Sequence, residues 1–265
     1  FDSNVWTDGP VLQEFERAFE SRVGMESVGV SNGGSALLAL LSYAGVAGSE
    51  VIVPTNTFIA TARAVELAGG KVVYADCKRE DLCLGLEQIK AVQTPRTKAV
   101  VIVHIGGHMA FDLFEIADYC RAQGLTLIED CAHAHGAYFR GRAAGSFGLG
   151  GAYSFYATKT LTTGEGGMVV TTQPDVASYV REFRNYGKRP IPGGFEYPVK
   201  GFNYRLNEIT AALGVVQLNR LDEILKWKRE LASKYDQLFH SRLQMPDSMT
   251  SGYYKYIVFD TPLAQ

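Results

Sequence analysis

Apolar residues follow two alternating rhythms along this chain. Short strand-like runs recur at residues 27–30, 50–54, 71–74, 99–103, 125–128 and 168–172. Between them, apolar positions fall at helical spacing, as in residues 59–67, 111–121 and 175–184. An earlier helix opens at Asp8-Gly9-Pro10 and carries Val11, Leu12, Phe15, Ala18 and Phe19 on one face. Near-continuous apolar strands that alternate with helices predict a mainly parallel sheet, covered on both faces. Ligands of such sheets bind beyond the carboxyl ends of the strands.

The rhythm then changes. Residues 185–201 are rich in Gly and Pro and predict a long excursion. A long amphipathic helix, or a pair, is expected from residue 201 to about 238, with Leu213, Val216, Leu218, Leu221, Ile224 and Leu225 as its apolar positions. Residues 253–260 predict one strand of a smaller unit. A lone strand and helix bury little, so the division expected is 1–205 for the large domain and 206–265 for an incomplete C-terminal one. The chain starts at Phe1 and not at Met, so the natural N-terminus is expected to lie further upstream.

Composition narrows the class. A formal charge of −2 over 265 residues gives no electrostatic case for nucleic acid or a membrane surface as partner. No apolar run reaches the roughly 20 residues that span a bilayer. Cys77, Cys83, Cys120 and Cys131 form no CxxC pair and read as reduced thiols of a cytoplasmic protein.

The chemistry gathers at the predicted strand ends. Ser154-Phe155-Tyr156-Ala157-Thr158-Lys159 sets a lysine in aromatic surroundings, and Gly164-Glu165-Gly166-Gly167 follows it. A lysine that forms a Schiff base needs to be held in place and to shed its proton; an ordinary lysine beside a tight turn also fits. Ser31-Asn32-Gly33-Gly34-Ser35 leads from a strand into an apolar helix, where free N–H groups and the helix dipole favour an anion; a plain N-capped helix also fits and is the better reading of the segment by itself. Asp130 ends the run 125–128, and His133 follows three residues later. Phe58 opens a helix after the strand ended by Pro54. Pyridoxal 5′-phosphate needs these four things: an amine (Lys159), a carboxylate for the pyridine nitrogen (Asp130), phosphate donors (Gly34, Ser35, Ser154) and a flat apolar cover (Phe58). His133 is placed to reach the phenolic oxygen. Taken singly, Asp130 also fits a helix cap, Phe58 a core residue and His133 a structural histidine.

As a set these motifs resemble the DegT/DnrJ/EryC1/StrS family of sugar aminotransferases. The matching motifs are Asn32-Gly33-Gly34-Ser35-Ala36-Leu37, Val51-Ile52-Val53-Pro54 with Thr57-Phe58-Ile59-Ala60-Thr61, Thr94-Pro95-Arg96, Glu129-Asp130-Cys131-Ala132-His133-Ala134-His135-Gly136, Ser154-Phe155-Tyr156 with Lys159, and Gly201-Phe202-Asn203-Tyr204-Arg205. The resemblance implies a three-layer, aspartate-aminotransferase-like α/β fold around a mainly parallel seven-stranded sheet, with a small C-terminal α+β domain. It implies that Lys159 binds the cofactor and moves protons, that Asp130 pairs with the pyridinium, that Phe58 stacks on the ring and that Gly34, Ser35 and Ser154 hold phosphate. It further implies that Asn203 reaches the partner's phosphate in a homodimer. The implied substrates are a nucleotide-linked keto-sugar and glutamate or glutamine as donor. Gly34 stands where relatives usually carry Thr, and His133 where many carry Gln.

Three other readings compete. One is an aminotransferase or synthase of the same fold acting on a cyclitol or amino-hydroxybenzoate precursor. Another is a non-catalytic cofactor-binding relative. A third is a metal hydrolase using His104, His108, His133, His135 and Asp130, which leaves Lys159 and the glycine loops without a role.

Overall fold

The computed structural model describes residues 4–259. Helix α1 (Pro10–Val23) precedes strand β1 (Glu26–Val30), and four helix–strand repeats follow in close order: α2 (Gly33–Tyr43), β2 (Glu50–Pro54), α3 (Ile59–Leu67), β3 (Lys71–Ala75), α4 (Leu86–Val92), β4 (Thr97–Val103), α5 (Leu113–Gln123) and β5 (Thr126–Asp130). A small hairpin, β6 (Tyr138–Phe139) and β7 (Arg142–Ala143), comes before β8 (Gly150–Ser154) and β9 (Gly167–Thr171). Helix α6 (Pro174–Phe183), the hairpin β10 (Arg189–Ile191) and β11 (Gly194–Glu196), helices α7 (Glu208–Asn219) and α8 (Leu221–Asp236), and strand β12 (Met249–Thr250) complete the chain.

The main sheet has seven strands in the order β1-β9-β8-β5-β4-β2-β3. Its pairings are parallel from β3 through β8, while β9 runs antiparallel to both β8 and β1. All strands but β9 therefore point the same way. The carboxyl ends of β1, β2, β4, β5 and β8 share one edge with the start of β9.

Alternation along the strands divides the core into two layers. Val100, Ile102, Met168 and Val170 face α1, α5, α7 and α8. Ala99, Val101, Val169 and Val28 face α2, α3 and α6. Helices thus cover both faces, as the apolar runs predict. No helix among the described residues is long and apolar enough to cross a membrane.

Three expectations need correction. Residues 253–259 form no regular strand; they keep a single bridge, Arg242 to Val258, and Asp260 lies outside the described residues. Their aromatic side chains pack on separate neighbours: Tyr254 stacks on His133, and Tyr256 lies against Tyr235 and Phe239. The helix expected from residue 111 starts at Leu113, because the Asp81 carboxylate accepts the Phe111 N–H at 2.8 Å. The amphipathic stretch is a pair of helices, as one form of the expectation had it, but it starts at Glu208 and not at residue 201, and it turns at Arg220.

One contact joins α1 to α7 across 199 residues of sequence. Helix α1 begins at Gly9-Pro10 with no side-chain cap of its own. Its free N–H groups are taken instead by buried Glu208 of α7, which accepts from Gly9 at 3.1 Å, Val11 at 2.9 Å and Leu12 at 3.0 Å. A Cβ at position 9 would sit 2.7 Å from the Glu208 carboxylate, so this cap needs glycine there. The carboxylate also complements the positive end of the helix dipole. Glu208→Ala leaves three N–H groups without an acceptor and should lower stability by about 2–4 kcal/mol. Urea unfolding measures this, and a midpoint like that of the parent chain would show that water replaces the cap.

Candidate active site

Each strand end brings one chemical group to the shared edge. After β1, Asn32 caps α2: its Oδ1 accepts the Ser35 N–H at 2.8 Å, and Ser35 Oγ accepts the Asn32 N–H at 3.2 Å. This reciprocal box uses both polar groups of Ser35, which lies buried and does not line the cavity. Gly33 and Gly34, whose N–H groups in the first helical turn have no intrahelical acceptor, line the cavity. A Cβ at Gly33 would lie 2.8 Å from Ser154 Cβ, and one at Gly167 would lie 2.5 Å from the Asn32 carbonyl carbon. The helix start, the end of β8 and the start of β9 can approach this closely only as bare backbone.

Asp130 closes β5. Its Oδ2 accepts the Thr61 hydroxyl at 2.8 Å and its Oδ1 the Ala132 N–H at 3.1 Å. Thr57 Oγ1 lies 2.7 Å from Thr61 Oγ1 and extends the chain of hydroxyls. Burial pushes the Asp130 carboxyl above its ordinary value, while Ala132, Thr61 and Lys159 pull it back. Its neighbour Glu129 faces the opposite side of the sheet. There it accepts from Gly145 N–H at 2.7 Å and Phe147 N–H at 2.6 Å and meets His104 Nε2 at 2.9 Å.

The connection from β8 to β9 crosses the cavity edge. Phe155 and Leu161 are buried at its two sides and fix it to the core. Lys159 lies between them, its N–H bonded to Tyr156 O at 2.9 Å, and its side chain lines the cavity. Burial holds the Lys159 amine below the usual lysine value; Tyr254 and Asp130 act against that, and Lys255 adds to it. Ser154 Oγ also lines the cavity and accepts the Tyr156 N–H at 3.3 Å.

His133 stands on the wall beside Asp130. Its Nδ1 accepts the Gly106 N–H at 3.3 Å. Burial, then the charges of Lys159 and Lys255, push its pKa down to about 3, so the ring is neutral at pH 7. A neutral ring that accepts at Nδ1 carries its proton on Nε2. Phe58 lines the rim with 75% of its surface exposed. The cavity enclosed by these groups measures about 600 Å³.

Lys159, Asp130, His133, Gly34, Ser154 and Phe58 therefore converge on one cavity. Asn203 does not: it is exposed, and its backbone bridges Asn185. The groups weighed for a metal have separate partners: His104 meets Glu129, His108 the Asp81 carbonyl, and His135 packs between Tyr153 and Phe155. His104, Glu129 and Cys131 lie close enough together for a metal ion, but the Glu129 oxygens already accept two backbone N–H groups. Sequence reasoning missed Thr61, Tyr254 and Lys255. For Thr61, a signal existed in the Thr57–Thr61 pair, one helical turn apart; for Tyr254 and Lys255 there was none.

A six-against-one sheet with a lysine loop, a buried carboxylate and a bare helix start at one edge is the architecture of the aminotransferase fold. The aminotransferase TlmJ from Streptoalloteichus hindustanus superposes with a TM-score of 0.90 at 34% identity, over 97% of this chain and 72% of that one. The chain belongs to the DegT/DnrJ/EryC1/StrS aminotransferase family, whose profile matches residues 1–259. It is 39% identical over 231 residues to the GDP-perosamine synthase of Caulobacter vibrioides, covering 86% of this chain and 62% of that protein. It is 33% identical over 279 aligned positions to the dTDP-4-dehydro-2,3,6-trideoxy-D-glucose 4-aminotransferase of Saccharopolyspora spinosa, covering 97% of this chain and 72% of that protein. The chain thus spans 62% of the length of the first of these relatives.

The histidines make stability depend on acid. Burial lowers His133 and His135 to about 3 and His108 to about 4. The unfolded chain takes up these protons near pH 6.5, before the folded chain does. Their contribution is complete above that pH and is lost as the pH falls toward 4. Both ring nitrogens of His135 lack a hydrogen-bond partner. His135→Leu should flatten the loss of stability between pH 6.5 and 4 by up to about 1.4 kcal/mol per pH unit. Urea midpoints across that range test it, and an unchanged slope refutes the assignment.

Proposed function

We propose that the protein is a pyridoxal 5′-phosphate-dependent aminotransferase. It would move an amino group from glutamate or glutamine to a nucleotide-linked keto-sugar in amino-sugar biosynthesis. The observation that carries this reading is the meeting of Lys159, Asp130, His133 and the bare N–H groups of Gly33 and Gly34 in one cavity. The names of the two relatives, one GDP-linked and one dTDP-linked, support a nucleotide sugar as acceptor.

The cavity residues fit this cofactor. Gly33 and Gly34 N–H with Ser154 Oγ make an end that favours a phosphate, where any Cβ at position 33 would strike Ser154. Asp130, buried and already raised by burial, is the acid group suited to a cationic ring nitrogen, which would hold it ionised. Phe58 offers an apolar face at the rim. When bound, the cofactor supplies an electron sink for the carbon that gains or loses nitrogen.

This chain's residues would divide the remaining work. Lys159 Nζ would hold the aldehyde and would carry the proton to and from the substrate carbon. Its lowered affinity for protons raises the share of nucleophilic amine at neutral pH. His133, kept neutral by burial, would donate through Nε2 to the phenolic oxygen. Thr61 fixes the orientation of the Asp130 carboxylate.

A homodimer belongs to the same reading. Ile209, Leu213 and Val216 form a half-exposed apolar stripe on α7, and Phe202 beside Asn203 is 63% exposed. A second copy covering this face would bring Asn203 to the partner's phosphate. In this reading residues 206–265 begin the smaller domain.

The purified chain, supplied with cofactor, should show the absorbance band of a lysine-bound cofactor and lose it in Lys159→Ala. Either amino donor should convert the bound cofactor to its amine form, and a GDP- or dTDP-linked keto-sugar should restore it. Asp130→Asn should still bind but turn over about 10²–10³-fold more slowly. A chain that binds cofactor without converting it with either donor would be a non-catalytic relative, and the proposal would fail.

A further inference from the structure

Residues 251–255 fold back against the turn that follows β4. Ser251 Oγ donates to Gly107 O at 2.8 Å, Gly252 N–H to the same carbonyl at 2.9 Å, and Lys255 N–H to Gly106 O at 2.8 Å. Gly107 has φ +101°, and a Cβ there would stand 2.6 Å from the Tyr254 nitrogen. Tyr253 takes φ +44°, a conformation rare for a non-glycine residue, and these bonds hold it there. The segment is thus fixed tightly, and it presents the Tyr254 ring to the cavity.

That ring touches three elements of the site. It stacks on His133 with centroids 4.1 Å apart and planes 23° apart. Lys159 Nζ lies over it, 4.9 Å from the centroid. Its hydroxyl lies 3.2 Å from Thr158 Oγ1, on the lysine loop itself.

We propose that Tyr254 is a positioning residue for both Lys159 and His133. Its face and hydroxyl keep the lysine amine at the cavity whenever that amine is not covalently engaged. Its stack fixes the plane of the His133 ring. Why the amine must be retained rests on the aminotransferase reading: an amine that leaves a carbon and must return to it depends on staying close. A lysine stem has four rotatable bonds to lose, so it needs such a hold. An aromatic face attracts the ammonium form, and Tyr254 shifts the Lys159 amine upward against the pull of burial.

Competitive acetylation of the cofactor-free full chain, read by mass spectrometry across pH, reports the midpoint at which Lys159 Nζ becomes reactive. Tyr254→Phe, which keeps the ring and the stack, should lower that midpoint by about one pH unit. Thr158→Val, which removes the partner that orients the hydroxyl, should shift it the same way by less. Tyr254→Leu, which also loses the ring face, should shift it furthest. A midpoint that stays with the parent chain in both Tyr254 variants would overturn the inference, and so would a shift to higher pH. This measurement needs no turnover. A parent chain that shows the shifts yet forms no lysine-bound cofactor band would sink the aminotransferase reading and leave the hold on Lys159 standing.

Discussion

Two neighbouring carboxylates end strand β5, and both are buried. A buried charge costs several kcal/mol unless other groups complete its hydrogen bonds. Because successive residues of a strand face opposite sides, Glu129 and Asp130 impose this demand on both layers at once. Below the sheet, Glu129 gathers the backbone of Gly145 and Phe147 and the His104 ring. Above it, Asp130 gathers Thr61 from α3 and the turn at Ala132. The loop that leads into β8 and the helix that carries the cavity wall are thereby set relative to one strand end. The cavity floor keeps its shape because these two residues cannot be left unsatisfied.

The direction of β9 explains why the chemistry lies where it does. The reversed strand must begin at the edge where its neighbours finish. The connection from β8 therefore crosses the mouth of the cavity instead of returning over a helical layer, and Lys159 lies in that crossing. The same edge carries the open N-terminus of α2, which is electropositive, and the carboxylate of Asp130. Positive and negative ends thus face one space without any long excursion of the chain.

What could be read from the sequence was local. Unbroken apolar runs marked the parallel strands, and glycines beside a strand end marked the helix start. Lys159, Ser154, Asp130 and His133 could be found because each lies next to a strand run that announces it. Ser35 was read as a phosphate donor. Its pairing with Asn32 was hidden because a capping box usually places Glu or Gln at that position. Thr61 and Tyr254 matter only through partners distant in sequence, Asp130 and His133, and no periodicity reports such contacts. Residues 253–259 look like a strand, but Lys255 bonds to Gly106 of the turn, while Ile257 and Phe259 pair with Leu243 and Ser241. Pattern alone cannot separate a ladder from such a strap.

The cap that Glu208 places on α1 also orders events in time. The donors at Gly9 and the acceptor at Glu208 are 199 residues apart. At synthesis rates of about 5–20 residues per second, about 10–40 s pass between the emergence of one and the other. During that interval helix α1 has three amide groups without their acceptor and no completed start. Phe15, which packs against Phe155, still lacks the Gly214 backbone that its ring meets in the finished fold. Release of the chain before residue 208 leaves α1 permanently without its cap.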